Sequence, residues 1–573
     1  MNSVHLALFG IFLFFLGYRF YSKWLSKRIY GLDDDLTTPA HEFRDNIDFL
    51  PTKKHILFGH HFTSIAGAAP IIGPCVAAYW GWLPAILWVV LGTVFIGTVH
   101  DFGALVMSVK EKGKSMADIS SRIINGRVRV LFLIFIVLLV WLVLAVFAMA
   151  IADLFVAIPT SVLPINIEII IAIGVGWLIY KKGMDALLPS LLALGLLYFF
   201  VWIGTKTPIS FETMGLTQSQ STNVWVVLMF LYSGIVSLLP VWILLQPRDY
   251  INSHQLIVGL GLIYLGVFIA RPVIDAPMLR LTTEGPSLFP LLFVTIACGA
   301  ISGFHGLVSS GTSSKQLDKL TDARMVGYGG MIGEGTLALA STIAAVAGIA
   351  LVSQCSLPSM GQVTDLNWAV YYDSWAHASG NKAAAFVLGG GALIESIGIP
   401  PELAKTLMAV LVISFAATTL DTATRIQRFI LAELGDSLGI TILKNRILAT
   451  FVAIIPAMLL VFTNVNDPAT GVVKQTGWAL WPIFGASNQM LAALTLMVLT
   501  LYFWQRKKPI LPLLLPMLFI MLITITSLFL KAVQFFETNS FLFGLNIFLI
   551  ILIGWMIIEG IMTVFNNEKT LNK

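Results

Sequence analysis

The stretch HFTSIAGAAPIIGPCVAAYWGW, His61 to Trp82, lies in one of the most apolar regions of the chain, yet Gly67, Pro70, Gly73 and Pro74 crowd its centre. In a water-soluble protein such a run reads as a loop. Here long apolar segments flank it, so the reading turns on what solvent surrounds the chain. Irregular backbone at membrane depth persists only where protein buries it or where it lines a cavity. If the chain spans a bilayer, these residues predict a transmembrane helix interrupted at a buried site.

Composition places the chain in a membrane. Of 573 residues, 57% are hydrophobic and only 11% charged, where soluble domains carry about a quarter charged residues. The mean hydropathy is +0.87. Apolar runs long enough to cross a bilayer recur from residue 4 to 565, and the short alternating segments of a membrane β-barrel are absent. The expected fold is an all-α polytopic membrane protein. Cys75, Cys298 and Cys355 lie too far apart for a disulfide framework or a metal knuckle, so neither metal nor cofactor is predicted. The net charge of +5 reports topology and not nucleic-acid binding. GVGWLIYKKG lacks the Gly-Lys-Ser/Thr ending of a phosphate-binding loop, no His-Glu-x-x-His occurs, and SSGTSS has no partnered base. An ATP-driven pump and an enzyme are therefore not expected.

At roughly 20 residues per crossing, about fifteen spans fit: near 4–22, 57–79, 84–108, 129–155, 166–180, 185–203, 223–246, 255–270, 288–309, 328–352, 402–433, 446–463, 477–502, 510–531 and 541–564. With the N-terminus outside, only Lys206, Arg271, Arg280, Lys382, Lys405, Lys474 and Lys531 of the 35 Lys and Arg fall on the outer side. That asymmetry predicts a multi-pass protein of the inner (plasma) membrane with its N-terminus outside and its C-terminus cytoplasmic. Within 354–400, AAAFVLGGGALIESIGIPPE is too short and Gly-rich to span and reads as a half-helix or surface helix.

The seventh span, LYSGIVSLLPVW, carries Ser233-Gly234 and Pro240 in its middle. It lies five spans after the first interrupted helix, so the two run in opposite directions. This is the relation of a five-plus-five inverted repeat, with substrate bound where the two broken helices meet. The expected organisation is an extra N-terminal span at 1–30, a transporter core at 57–435 (repeats 57–203 and 223–435), and additional C-terminal helices at 436–565. Each break frees N–H groups that suit an anion such as a carboxylate, and C=O groups that suit a proton donor or small cation. Gly67, Ala68, Gly73, Ser233 and Gly234 are the expected backbone contacts to substrate. The ninth span adds Thr295, Ser302, His305, Ser309, Ser310 and Thr312, with Thr295 and Ser302 facing the same cavity. The competing readings are a proline kink without a ligand and hydroxyls that merely join helices.

Ionisable residues in apolar spans carry functional suspicion. They are His60, His61, His100, Asp101, Asp153, Arg248, Asp249, His305, Glu334, Asp421, Arg425 and Arg428. Arg248-Asp249 and Asp421–Arg425, the latter at i,i+4 spacing, read as local ion pairs, either latching a cytoplasmic gate or purely structural. His61 and His305 neighbour the Gly-rich interruptions and can titrate near neutral pH, which makes them candidate proton or substrate contacts. Asp101 and Asp421, with Arg425, are assigned to the gate or the coupling relay.

Six blocks then occur in one order: HFTSIAGAAPIIGPCVAAYWGWLPAILWVVLGTVFIGTVHDFGAL, LLPVWILLQPRDYI, LFVTIACGAISGFHGLVSSGTSSKQL, GYGGMIGEG, ATTLDTATRIQRF and WPIFGASNQMLAALTL. From about residue 57 to 500 the chain resembles the carbon starvation protein A family. The resemblance implies the amino acid–polyamine–organocation superfamily and its five-plus-five core. It also implies uptake of pyruvate with a coupling ion, or of peptides during carbon starvation; longer members extend further at the C-terminus. The expected function is a secondary active transporter, induced by nutrient starvation, importing a small carboxylate, pyruvate first, with H⁺ or Na⁺. A short-peptide importer and a nutrient-sensing receptor on a transporter fold are the alternatives, and a homo-oligomer is left open.

Overall fold

The computed structural model describes residues 2–45, 48–281, 285–357, 360–466, 473–475, 478 and 480–571. Its principal helices in chain order are α1 (Ser3–Tyr30), α2 (Lys54–Ile65), α3 (Ala69–Trp80), α4 (Trp82–Lys110), α5 (Gly126–Ala157), α6 (Pro159–Tyr180), α7 (Leu187–Gly204), α8 (Gln218–Leu238) and α9 (Leu245–Ala270). There follow α10 (Leu288–Thr295), α11 (Gly303–Gly311), α12 (Leu320–Val346), α13 (Ala384–Glu395), α14 (Pro401–Leu438), α15 (Arg446–Phe462), α16 (Trp481–Gln505), α17 (Leu511–Thr538) and α18 (Ser540–Leu571). A small hairpin pairs β1 (Gln354–Leu357) antiparallel to β2 (Gly361–Thr364), with Cys355 opposite Val363.

The helix ends follow local chemistry. Asn2 accepts from the Val4 N–H to open α1, Asn125 accepts from the Arg127 and Val128 N–H groups to open α5, and Thr217 with Gln220 forms a capping box on α8. Pro401 occupies the first turn of α14, where its missing N–H costs nothing, and Gly439 closes that helix at φ +73°.

Among the described residues, twelve helices are long and apolar enough to cross a bilayer, thirteen if the bent pair α2–α3 is one crossing. The expected fifteen is not reached by that measure. Of the other two expected spans, 446–463 is a helix of 17 residues, and 288–309 is divided between α10 and α11, of 8 and 9 residues. The outer faces of α1, α7, α17 and α18 expose Phe12, Phe15, Leu188, Leu192, Leu522, Phe529, Trp555 and Ile558. A surface so apolar matches hydrocarbon and not water. By contrast the apolar stretch of α16 is 100% buried; this helix lies inside the molecule although the sequence places it among the C-terminal additions.

The first interruption is where the sequence puts it: α2 and α3 meet at 48° across residues 66–68. The second is not. α8 runs unbroken through Ser233 and Gly234, and Pro240 lies beyond its end, after Leu239 takes the extended conformation favoured before proline. Ser233 donates its hydroxyl to the Phe230 carbonyl, and a Cβ on Gly234 would stand 3.2 Å from Ile454 of α15. Both residues therefore serve helix packing. The second interrupted helix is α10–α11, with residues 296–302 unwound. The segment expected as a half-helix or surface helix, α13, is a buried half-helix of 12 residues: Phe386, Val387 and Gly389 are inside, and its backbone passes close to Ala344 of α12.

Candidate transport site

The two interruptions face each other. A Cβ on Gly73 of α3 would lie 2.4 Å from the Thr295 carbonyl oxygen, and one on Gly97 of α4 would lie 2.3 Å from that of Ala300. Glycine at these positions lets two backbones clasp the unwound segment from either side. Its freed polar groups are answered by side chains. Thr93 of α4 donates to the Gly299 carbonyl at 3.1 Å, and Gln489 of α16 donates to that of Phe293 at 2.7 Å. The Asn488 side-chain oxygen accepts from the Phe304 N–H at 3.0 Å, and its nitrogen lies 2.9 Å from the Ser302 hydroxyl. This is how backbone without water keeps its hydrogen bonds at membrane depth.

Between the breaks lies a cavity of about 10 Å³ lined by Gly67, Pro70, Phe147, Cys298, Ser302 and Thr419, among others, space for no more than one water. Gly67 and Ser302 thus face a common cavity, whose lining does not include Thr295. Gly73 and Thr295 touch each other beside it through their backbones, and Ala68 is buried in the first break without lining it. Ser233 and Gly234 lie elsewhere, on α8 against α15.

One buried ionic chain joins α4, α11 and α12. His100 Nδ1 is 2.7 Å from Asp101 Oδ1, and His305 Nδ1 is 2.9 Å from Asp101 Oδ2. His305 Nε2 stands 3.2 Å from Glu334, within ion-pair distance but not aligned as a hydrogen bond. A π turn over Thr93–Gly97 directly precedes the helical segment bearing His100 and Asp101, a feature common at functional sites. His61 on α2 bonds Ser313 at 2.8 Å and lies within electrostatic reach of Asp101 and His305. The predicted trio of His61, Asp101 and His305 is therefore brought together, with His100 and Glu334 completing it.

A second cluster rearranges the expected pairs. Arg248 of α9 meets Asp421 of α14 at 2.8 Å, donates to the Tyr232 hydroxyl, and reaches Thr418 Oγ1 at 2.9 Å. Asp249 is taken by His60 at 2.6 Å. Arg425 turns away from Asp421 to the Leu239 carbonyl and, at 3.9 Å, Asp48. The reason is energetic. An i,i+4 pair on a helix contributes about 0.2–0.5 kcal/mol, whereas leaving a buried charge unpaired costs about 3–5 kcal/mol. Asp421 therefore goes to the deeply buried Arg248. Glu168 of α6, bonded by Ser414 at 2.8 Å, belongs to the same buried region. Glu168, Tyr232, Asn488 and Gln489 are absent from the residues that sequence reasoning singles out, although a lone acid within the apolar α6 and an Asn-Gln pair within α16 carry the signal.

The clusters meet on α2, where consecutive residues divide the work: His61 faces the histidine chain and His60 faces Asp249. On α14, Asp421 sits between Thr419, which lines the central cavity, and Thr422, which lines a second cavity of about 20 Å³ with His60, Lys315 and Arg425. A larger cavity of about 190 Å³ opens beyond α3, lined by Ile72, Asp153, Lys382, Lys405 and Trp478. There Lys382 and Trp478 both hold Asp153, at 3.0 and 2.7 Å.

Residues 2–527 match the family described as carbon starvation protein CstA. The peptide transporter CstA of Helicobacter pylori is 31% identical over 573 residues, which take in 93% of this chain and 82% of that protein. The pyruvate/proton symporter BtsT of Escherichia coli is 29% identical over 575 residues, 89% of this chain and 78% of that one. Among solved structures, a manganese transporter of Eremococcus coleocola is similar at a TM-score of 0.44 and 15% identity, over 92% of this chain and 99% of that chain.

Proposed function

Because the chain belongs to the carbon starvation protein CstA family, we propose that it is a secondary transporter importing a small carboxylate, pyruvate first, together with a proton. The observation that carries this reading is the buried chain His100–Asp101–His305–Glu334, set directly against the second interrupted helix. Ionisable groups are retained inside a membrane protein where they move ions or bind substrate, and histidine exchanges protons near neutral pH. Gly67, Ala68, Gly73, Thr295 and Ser302 shape the substrate site in this reading. His61, Asp101 and His305 relay the coupling proton, and Asp421 belongs with Arg425 to the gate or to the same relay.

The order of elements favours an inverted repeat whose second copy opens at Leu288. Each interrupted pair is followed, second long helix on, by a helix of more than 30 residues, α5 of 32 and α14 of 38 residues. Peptide import is the second reading, favoured by the name of the 31% identical relative. Uptake into proteoliposomes under a two-unit inward proton gradient tests both. One proton per substrate sustains about 100-fold accumulation, each tenfold being about 1.4 kcal/mol. Accumulation of a labelled dipeptide and not pyruvate selects the peptide reading. Collapse on replacing Na⁺ by choline selects sodium, and binding without flux selects a receptor.

We place the protein in the plasma membrane with its N-terminus outside, on the Lys/Arg asymmetry of the loops. Lys182 and Lys206 are exposed at opposite ends of α7, and all three native cysteines are buried. Lys206→Cys is expected to react with an impermeant thiol reagent on intact cells, and Lys182→Cys only after permeabilisation. The reverse pattern inverts the orientation.

A further inference from the structure

We infer that Arg248 is the receptor for the substrate's carboxylate, and that Asp421 holds its place and accepts the coupling proton when substrate displaces it. This rests on the carboxylate–proton reading above and names the site at which the two are exchanged.

The geometry is that of an occupied carboxylate site. The Arg248 guanidinium is buried, and Asp421 supplies the carboxylate at 2.8 Å while Thr418 and Tyr232 furnish hydroxyl contacts. A planar fork of donors is the partner that the carboxylate anion of a substrate would take. Arg248 and Asp421 line neither small cavity themselves, but on α14 Asp421 is flanked by Thr418, which bonds Arg248, by Thr419, which lines the central cavity, and by Thr422, which lines the cavity bordered by His60 and Arg425. Around it, buried polar atoms lack hydrogen-bond partners: Asp421 Oδ1, Thr419 Oγ1 and Glu168 Oε1. Thr419 Oγ1 points at the first break, 2.7 Å from where a Gly67 side chain would begin. An incoming carboxylate in the central cavity would thus meet the Thr419 hydroxyl, one residue along α14 from the Thr418 hydroxyl that bonds Arg248.

Charge makes the exchange obligatory. The groups facing Asp421 are Arg248 and Asp249 on α9 and Tyr232 on α8; Glu168 on α6 faces Arg248, and His60 on α2 holds Asp249. Arg248 is therefore the cation that answers Asp421. If substrate takes the guanidinium while Asp421 stays ionised, a carboxylate is left buried without a counter-charge, which is prohibitive. Protonation removes the obstacle. One proton, delivered from the outer solution by the His61–Asp101–His305 relay, converts Asp421 to the neutral acid, its ion pair with Arg248 is exchanged for the substrate's, and no covalent bond of the substrate changes. Inside, the carboxylate departs, Asp421 gives its proton to the cytoplasm, and the original pair re-forms. One proton accompanies one monocarboxylate, so no net charge crosses.

Two measurements test this. In proteoliposomes with equal pH on both sides, a valinomycin-imposed potassium potential is expected to alter initial pyruvate uptake by the unmodified chain less than about twofold, because each neutral pair carries nothing for the field to act on. Strong potential-driven uptake overturns the inference. In detergent, pyruvate binding to the unmodified chain is expected to weaken by up to about tenfold per pH unit on the alkaline side, the limit for one linked proton. Asp421→Asn should bind without that slope and fail to accumulate pyruvate against a gradient; Arg248→Gln should bind at least about 30-fold more weakly at every pH. Accumulation by Asp421→Asn at the unmodified level overturns the inference. Should either variant not fold, the potential measurement on the unmodified chain decides. Absence of pyruvate flux in the unmodified chain overturns the substrate reading itself, whereas flux with intact coupling in Asp421→Asn overturns only the exchange of substrate and proton at the Arg248–Asp421 pair.

Discussion

Gly73→Ala is expected to stop transport, lowering exchange by about 100-fold or more while the protein remains inserted and monodisperse. The added methyl would lie 2.4 Å from the Thr295 carbonyl oxygen and 3.2 Å from the Ile296 Cα. Both are backbone atoms, so no rotamer change relieves the contact. α3 and the unwound end of α10 must separate by on the order of 1 Å, a displacement that in a site of this kind costs about 100-fold in rate. The overpacking itself costs about 1–3 kcal/mol, which a protein of this size survives. Gly67→Ala is gentler, because its methyl meets the Thr419 and Phe147 side chains at 2.7 and 3.2 Å and these can shift. Radiolabel exchange, read beside size-exclusion profiles of the same preparations, checks the contrast. Wild-type exchange by Gly73→Ala would mean that the two breaks need not touch during the cycle.

Asp101→Asn should reduce gradient-driven accumulation from about 100-fold, the limit for one proton across two pH units, to none, while exchange without a gradient persists. Asp101 is the carboxylate that holds two imidazoles, His100 at 2.7 Å and His305 at 2.9 Å. Asparagine offers one acceptor and one donor group in place of two acceptors. One ring then faces an N–H with its own N–H, and the group no longer ionises. Exchange isolates substrate binding and the conformational switch from proton movement, so the pair of assays separates a relay from a binding residue. Full accumulation by both Asp101→Asn and His305→Gln sinks the relay. Sodium among the hydroxyls near 302–312 is then the better account, checked by replacing Na⁺ with choline.

The first interruption was legible because its cause is local: glycine and proline punctuate an apolar run, and the chain breaks there. The second has no such mark. IACGAIS holds one glycine and no proline, and its irregular backbone is sustained by Thr93, Asn488 and Gln489, which are distant in sequence. Ser233-Gly234 misled because small residues in membrane helices more often admit a neighbouring helix than break the backbone. The histidine chain was half legible. Each member stands out as an ionisable residue in an apolar span, but only the fold shows that His61, Asp101 and His305 converge. Ion pairs were the least legible feature. Spacing along one helix pointed to Asp421–Arg425, while burial decided for Asp421–Arg248.

Asn488 and Gln489 are neighbours on α16, and they hold opposite banks of the second break: Gln489 the Phe293 carbonyl, Asn488 the Phe304 N–H. In mechanical terms the gap is spanned by a bracket and does not behave as a free hinge. The half-helices α10 and α11 cannot swing independently while both bonds stand; they travel with α16 as one rocker, or the bracket must first unfasten at one end. A helix that looks peripheral in the order of the chain thus becomes the axle of whatever motion carries cargo across.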